Sequence, residues 1–152
     1  MIDSLAAWHH FIVHFAVSFT ILAALLDAAD FLTRNTRFTQ TSFLLTIIAI
    51  PCLIAAVLTG NLAATFVTDP EQLTALGQHQ TYANIAVWVF TAAGLWRVFL
   101  HFKKQFHGRK VIIYVFIVML AAASVFLAAR KGGSIRHSRP TITLRSDVAA
   151  NA

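Results

Sequence analysis

The sequence predicts an all-α polytopic membrane protein, an antiparallel bundle of four transmembrane helices, and three observations predict it. Of its 152 residues 58% are hydrophobic and 12% are charged, with a mean hydropathy of +0.70. A soluble domain usually carries about 25% charged residues, so half that complement could not cover a water-facing surface. The charges are also clumped, which leaves four long apolar runs. Each run is near the roughly 20 residues that a helix needs to cross about 30 Å of hydrocarbon, and none alternates as a barrel strand would.

The first segment covers 5–32 and is most apolar at 11–26. Its leading residues Met1-Ile2-Asp3-Ser4 hold no Lys or Arg, so it reads as a retained helix, not a cleaved leader. The second, 42–66, contains no charged residue and carries Pro51 at its middle, where a kink is expected because proline lacks an amide hydrogen and crowds the carbonyl of Ile47. The third, 79–102, carries Arg97 near its end, and the fourth, 111–129, is 19 uncharged residues in a row. The linkers are then 33–41, 67–78 and 103–110, short enough to make neighbouring helices antiparallel and adjacent. In the middle linker, Thr68 or Asp69 is a candidate cap for a short turn at Asp69-Pro70-Glu71. Gly132-Gly133 is expected to end the fourth helix through a left-handed cap, followed by a polar tail over 130–152. Residues 1–152 thus read as one integral membrane domain.

Charge bias sets an expected orientation. The first and third linkers hold Arg34, Arg37, Lys103, Lys104, Arg109 and Lys110 and no acid. The opposite side mixes Asp3, Asp69, Glu71 and Asp147 with Arg130, Lys131, Arg136, Arg139 and Arg145. The positive-inside rule then puts both termini outside the cytoplasm, in the cell inner (plasma) membrane. The same placement explains the net charge of +6 without nucleic acid, since the basic residues sit at the ends of apolar segments. A single cysteine, Cys52, excludes an intrachain disulfide and a thiolate cluster.

Two sets of polar residues interrupt the apolar helices. Asp27 and Asp30 lie near the end of the first helix and Arg97 at similar depth in the third. Buried charges in a membrane pair, so Asp27–Arg97 and Asp30–Arg34 are expected as structural clamps. The second set is histidine. Of seven histidines, His9, His10, His14, His79 and His137 fall on one face of the membrane and His101 and His107 on the other. His10 and His14, four apart, share a helix face. One reading is a haem b or transition-metal site with His14 and His79 as ligands and His10 or His137 as further ones, bordered by Phe11, Phe15, Tyr82 and Ala83, with Ser18 or Asn84 holding the second ring nitrogens. The other is a cluster that hydrogen-bonds across helices at the interface without a cofactor. No HExxH, CxxCH or paired-carboxylate pattern separates the two.

Small residues supply the packing surfaces: Ala121, Ala122, Ala123, Ser124, Ala128 and Ala129 on the fourth helix, Ala55, Ala56, Gly60, Ala63 and Ala64 on the second, and Ala92, Ala93 and Gly94 on the third. Asn61 and Asn84 are candidates for interhelical hydrogen bonds. The 13 phenylalanines suit an outer surface facing lipid or a partner subunit.

Several short motifs occur in a telling order: His10-Phe11-Ile12-Val13-His14-Phe15, Leu25-Leu26-Asp27, Leu58-Thr59-Gly60, His79 with Asn84 and Ala86 beyond it, and Gly132-Gly133 followed by His137. In this order the chain resembles the bacterial four-helix membrane family of domain of unknown function 2231, over about residues 5–140. It departs from that pattern at Ala16, where a proline is expected, at Ala63, where an acid often follows the Thr-Gly, and in a short, polar segment at 134–138. The resemblance implies the four-helix fold. It settles no activity, and through members fused to cytochrome-like domains it points toward redox or haem association.

Two functions follow. The first is a non-catalytic membrane subunit or assembly protein, in contact with subunits of a membrane redox complex or with further copies of itself. The second is a haem b- or metal-binding protein in electron transfer. A transporter would need broken helices or a polar midplane, and only Pro51 interrupts these spans. No serine, cysteine or carboxylate has a paired base at comparable depth, which leaves no candidate catalytic residue.

Overall fold

The computed structural model describes residues 2–65, 67 and 70–135 and consists of four helices: α1 (Ile2–Thr33), α2 (Thr36–Ala64), α3 (Pro70–Phe102) and α4 (Arg109–Ile135). Each contains a stretch long and apolar enough to cross a membrane, at Trp8–Thr33, Arg37–Ala64, Leu73–Phe102 and Arg109–Lys131. The all-α, multi-pass architecture expected from the sequence is the one observed. The helices are ordered as a ring. α1 packs on α2 and α4, and α3 packs on α2 and α4, with no close backbone approach across either diagonal.

The helix starts all depart from the sequence expectation in one direction, toward the N-terminus. α2 starts at Thr36 instead of 42, and α3 at Pro70 instead of 79. Hydropathy marks the part of a helix that lies in lipid, whereas the hydrogen-bond ladder continues through polar ends in water. Local chemistry fixes the true starts. Asn35 sits in an extended conformation and its side chain accepts a hydrogen bond from the Arg37 amide at 3.0 Å, capping α2. Pro70 opens α3 where an amide hydrogen has no helical partner. The cap expected from Thr68 or Asp69 lies outside the described residues, as does His137. The expected stop at Gly132-Gly133 does not occur, because α4 continues through both glycines to Ile135.

The two turns on the basic side are tight. α1 ends with Arg34 in the left-handed region (φ 53°), its amide donating to the Asp30 carbonyl at 2.7 Å. α3 ends in a Schellman motif: Lys104 (φ 53°) donates to the His101 carbonyl at 3.0 Å, and Gln105 to the Leu100 carbonyl at 2.8 Å. Glycine usually takes the left-handed position; here a basic residue does in both turns. The main-chain geometry thus keeps positive charge at this end of the bundle.

Inside the ring the core is mostly alanine. Ala16, Ala23, Ala24, Ala49, Ala86, Ala93, Ala121, Ala122 and Ala128 are buried, as are Leu53, Phe90, Tyr114, Val118 and Val125. The large side chains point outward, among them Trp88, Phe99, Phe102 and Phe116. Lipid tails are as apolar as leucine, so helix association rests on close van der Waals contact, which small residues permit. Gly94 shows how close: a Cβ there would lie 2.8 Å from Ile50 Cδ1 and 3.0 Å from Thr46 Cγ2. Pro51 is exposed on α2, and the helix runs through it unbroken.

Candidate functional site

Two polar regions occupy opposite ends of this alanine-packed bundle. At the end bearing the basic turns, Arg97 extends from α3 across the diagonal and reaches every other helix. Its Nη1 donates to Asp27 Oδ1 on α1, forming a buried ion pair, and to the Tyr114 hydroxyl on α4 at 3.2 Å. Its Nη2 donates to the Thr39 carbonyl at 3.0 Å and Ser42 Oγ at 2.8 Å, both on α2. Tyr114 in turn donates to Asp27 Oδ2 at 3.0 Å, so both carboxylate oxygens are held. The guanidinium also lies 4.9 Å from the Phe106 ring centroid, 5.1 Å from that of Tyr114 and 5.8 Å from that of Phe43. These are distances at which an aromatic face attracts a cation.

The Asp27–Arg97 pair is therefore present as expected. The second expected pair is not. Asp30 accepts a hydrogen bond from the Thr39 hydroxyl at 2.7 Å, and the left-handed turn at Arg34 leaves that side chain exposed. Arg97 and Asp27 thus form the ion pair at this end of the bundle. Sequence reading missed Tyr114, Ser42 and Thr39. The available signal was Tyr114, a lone hydroxyl-bearing residue at matching depth on α4, and the run of hydroxyls Thr39, Thr41, Ser42 and Thr46 on α2. Beside this hub lies a recess of about 270 Å³ lined by Thr39, Gln40, Phe43, Arg97, His101 and Phe106. Its wall includes the His101 ring stacked on Phe43, with centroids 4.3 Å apart.

The histidine end is built differently. His9 Nδ1 on α1 meets Thr59 Oγ1 on α2 at 3.0 Å, and His79 Nδ1 on α3 meets the Ala128 carbonyl on α4 at 2.9 Å. Gln80 on α3 donates to Asn61 on α2 at 3.3 Å, so contacts link the helices around the ring at this level. Gly60 leaves room for the His9 ring, since a Cβ there would lie 2.9 Å from His9 Cε1. His14 is exposed and its Nδ1 meets the His10 carbonyl of its own helix at 2.5 Å. His10 is exposed, with its ring 5.7 Å from that of His9. The described contacts thus tie His79 to α4 and turn His14 onto its own backbone. Among the described residues no three His, Cys, Asp or Glu come together as a metal-holding group. The half-buried histidine of α1 is His9, which the i, i+4 spacing of His10 and His14 had overshadowed.

This arrangement of four apolar helices accompanies a match to the family described as "Predicted membrane protein (DUF2231)", which spans residues 6–139. The chain belongs to the DUF2231 family. No curated protein and no solved structure matches it. The matched region runs from just before His9 to just beyond the described part of α4, so both polar ends fall inside the DUF2231 domain.

Proposed function

We propose that this DUF2231 protein is a non-catalytic membrane subunit or assembly protein, with a histidine cluster on its outer face. The observation that supports this is the closure of the charged hub: Asp27, Arg97, Tyr114 and Ser42 bind one another across four helices. Such a cluster fixes the relative positions of the helices and holds a rigid outer surface of large apolar side chains. That surface suits the bilayer and either subunits of a membrane redox complex or a second copy of the chain. Electrophoresis of solubilised native membranes under non-denaturing conditions tests the reading. The protein is expected in an assembly larger than itself, and migration as a lone chain would overturn it.

Orientation belongs to the same proposal. The acid-free turns at 34–37 and 103–110 favour both termini outside the cytoplasm in an inner membrane. Reporter fusions after Gln72 and after Lys104 are expected to label opposite sides, and a cytoplasmic signal at Gln72 would reverse the topology.

A second reading is a haem b- or metal-binding protein in electron transfer, with ligands drawn from His14, His79, His10 and His137. One observation favours it: His9, His14 and His79 each meet an oxygen through Nδ1, as oxygens orient metal-binding imidazoles through the ring nitrogen that does not ligate. A visible spectrum and a metal analysis of the protein in mild detergent test it. A colourless, metal-free preparation that takes up neither haem nor metal would remove it.

A further inference from the structure

The charged hub closes through the two Nη nitrogens of Arg97. Hydrogen bonds to Asp27, Tyr114, the Thr39 carbonyl and Ser42 use the hydrogens that those nitrogens carry. A guanidinium has one more, on Nε, and among the described residues nothing accepts it. Arg97 is 1% exposed. A charged donor left over in such a place is costly until an acceptor reaches it.

The recess beside the hub is where an acceptor can enter. Arg97 forms part of its wall, with Thr39, Gln40 and Phe43 of α2, His101 of α3 and Phe106 of the turn that follows. Thr39 is already committed, its hydroxyl donating to Asp30 and its carbonyl accepting from Arg97. The polar groups that remain are the Arg97 Nε–H, the Gln40 amide and the His101 ring. The other walls are aromatic. The His101 and Phe43 rings lie 4.3 Å apart and 21° from parallel, and Phe106 lies 4.9 Å from the guanidinium. Gln40 and His101 are exposed while Phe43 and Phe106 are half-buried, so the recess opens along the α2–α3 seam near the last turn of α3.

Two properties select the occupant. One is charge. Asp27 balances Arg97, Asp30 stands behind Thr39, and none of the basic residues in the neighbouring turns lines the recess. An anion would meet no uncompensated cation there, so an uncharged acceptor is favoured. The other is shape. The recess of about 270 Å³ falls just under the roughly 300 Å³ at which pockets for drug-sized ligands begin. It has room for one ring system, and its aromatic walls favour a flat one. We infer that this recess binds the head of a quinone, a flat, uncharged, bilayer-soluble ring whose carbonyl oxygen accepts from Arg97 Nε–H, with His101 as a second donor. The tail stays in lipid beside α2 and α3. Arg97 thus holds the bundle through Nη and the ligand through Nε. The site stands whether or not the chain belongs to a larger assembly.

The test uses the full-length protein in phosphatidylcholine bilayer discs with a photoactivatable azidoquinone, and locates the labelled peptides by mass spectrometry. Label is expected at 39–43 and 101–106, and an excess of unmodified short-tailed quinone should displace it. His101→Phe keeps the stacked wall and removes its nitrogens, and should weaken quinone affinity about 3–10-fold. Phe43→Ala removes the face on which the ring lies and should abolish labelling at this site. His14→Ala, at the other end of the bundle, should label as the wild type does. Thermal unfolding shows whether each variant folds, and His101→Phe, an exposed position outside the hub, decides the matter if Phe43→Ala does not. Label spread over the lipid-facing residues of all four helices, label that unmodified quinone leaves in place, or unchanged affinity in His101→Phe would overturn the site. Displacement by phosphatidylglycerol and not by quinone would give the recess to a lipid phosphate and overturn the quinone assignment.

Discussion

The two polar ends of the bundle use hydrogen bonds to opposite effect. At the hub, side chains mostly bind side chains: Arg97 donates to Asp27, Tyr114 and Ser42, with the Thr39 carbonyl as its backbone acceptor, and Tyr114 donates a hydrogen bond to Asp27. The cluster is charge-neutral and closed. At the other end, His14 and His79 each bond a backbone carbonyl, and His9 a hydroxyl already committed to its own helix. These are dead-end contacts that orient a ring through one nitrogen. A buried polar network that closes on itself stabilises a fold, whereas one that ends on the backbone leaves a chemically competent atom oriented.

The sharpest way to break this contrast is at the ion pair. Asp27→Ala or Arg97→Ala is expected to cost about 3–5 kcal/mol, because each strands a buried charge in the bundle. The double substitution should cost less than either single one, which thermal or denaturant unfolding in detergent would show as a large coupling energy. Simple additivity would mean that the two charges do not act as a pair. A smaller effect is expected from Tyr114→Phe. It removes one donor from Asp27 Oδ2 while keeping the ring over the guanidinium, and should lower stability by about 2 kcal/mol. The smallest belongs to the other end. His79→Ala gives up one bond to Ala128 and should cost about 1 kcal/mol, several-fold less than Asp27→Ala in the same assay. A histidine-end loss as large as that at the hub would erase the distinction between the two regions.

Much of the hub was legible in the sequence because charge in an apolar helix is conspicuous. Asp27 and Arg97 interrupt long hydrophobic runs at matching depth, and a lipid environment leaves them little option except each other. Asp30 was misassigned for a local reason. Four-residue spacing to Arg34 holds only while the helix continues, and the chain leaves the helix at Arg34 itself. Tyr114 and Ser42 were hidden because hydroxyls barely alter hydropathy. The histidine end was less legible still. Spacing drew attention to His10 and His14, but burial is decided by which face of α1 meets α2, and Gly60 admits His9 there. Helix ends were misplaced wherever polar residues extend a helix beyond lipid, as at Thr36 and Pro70, and Gly132-Gly133 proved compatible with a continuing α4.

The diagonal reach of Arg97 also has a consequence for how the protein is made. Asp27 and Arg97 are 70 positions apart, so the acid is synthesised and its helix offered to the membrane before its partner exists. An unpaired aspartate at a helix centre costs about 2.5–3.5 kcal/mol on insertion, less toward the interface. The first hairpin must therefore wait with Asp27 near the headgroups or carry that cost until α3 arrives. Arrival of the third helix releases it, and Tyr114 closes the cluster only when the fourth follows. Biogenesis is thereby ordered from the N-terminus onward, with the charge pair as the step that commits four separate helices to one assembled bundle.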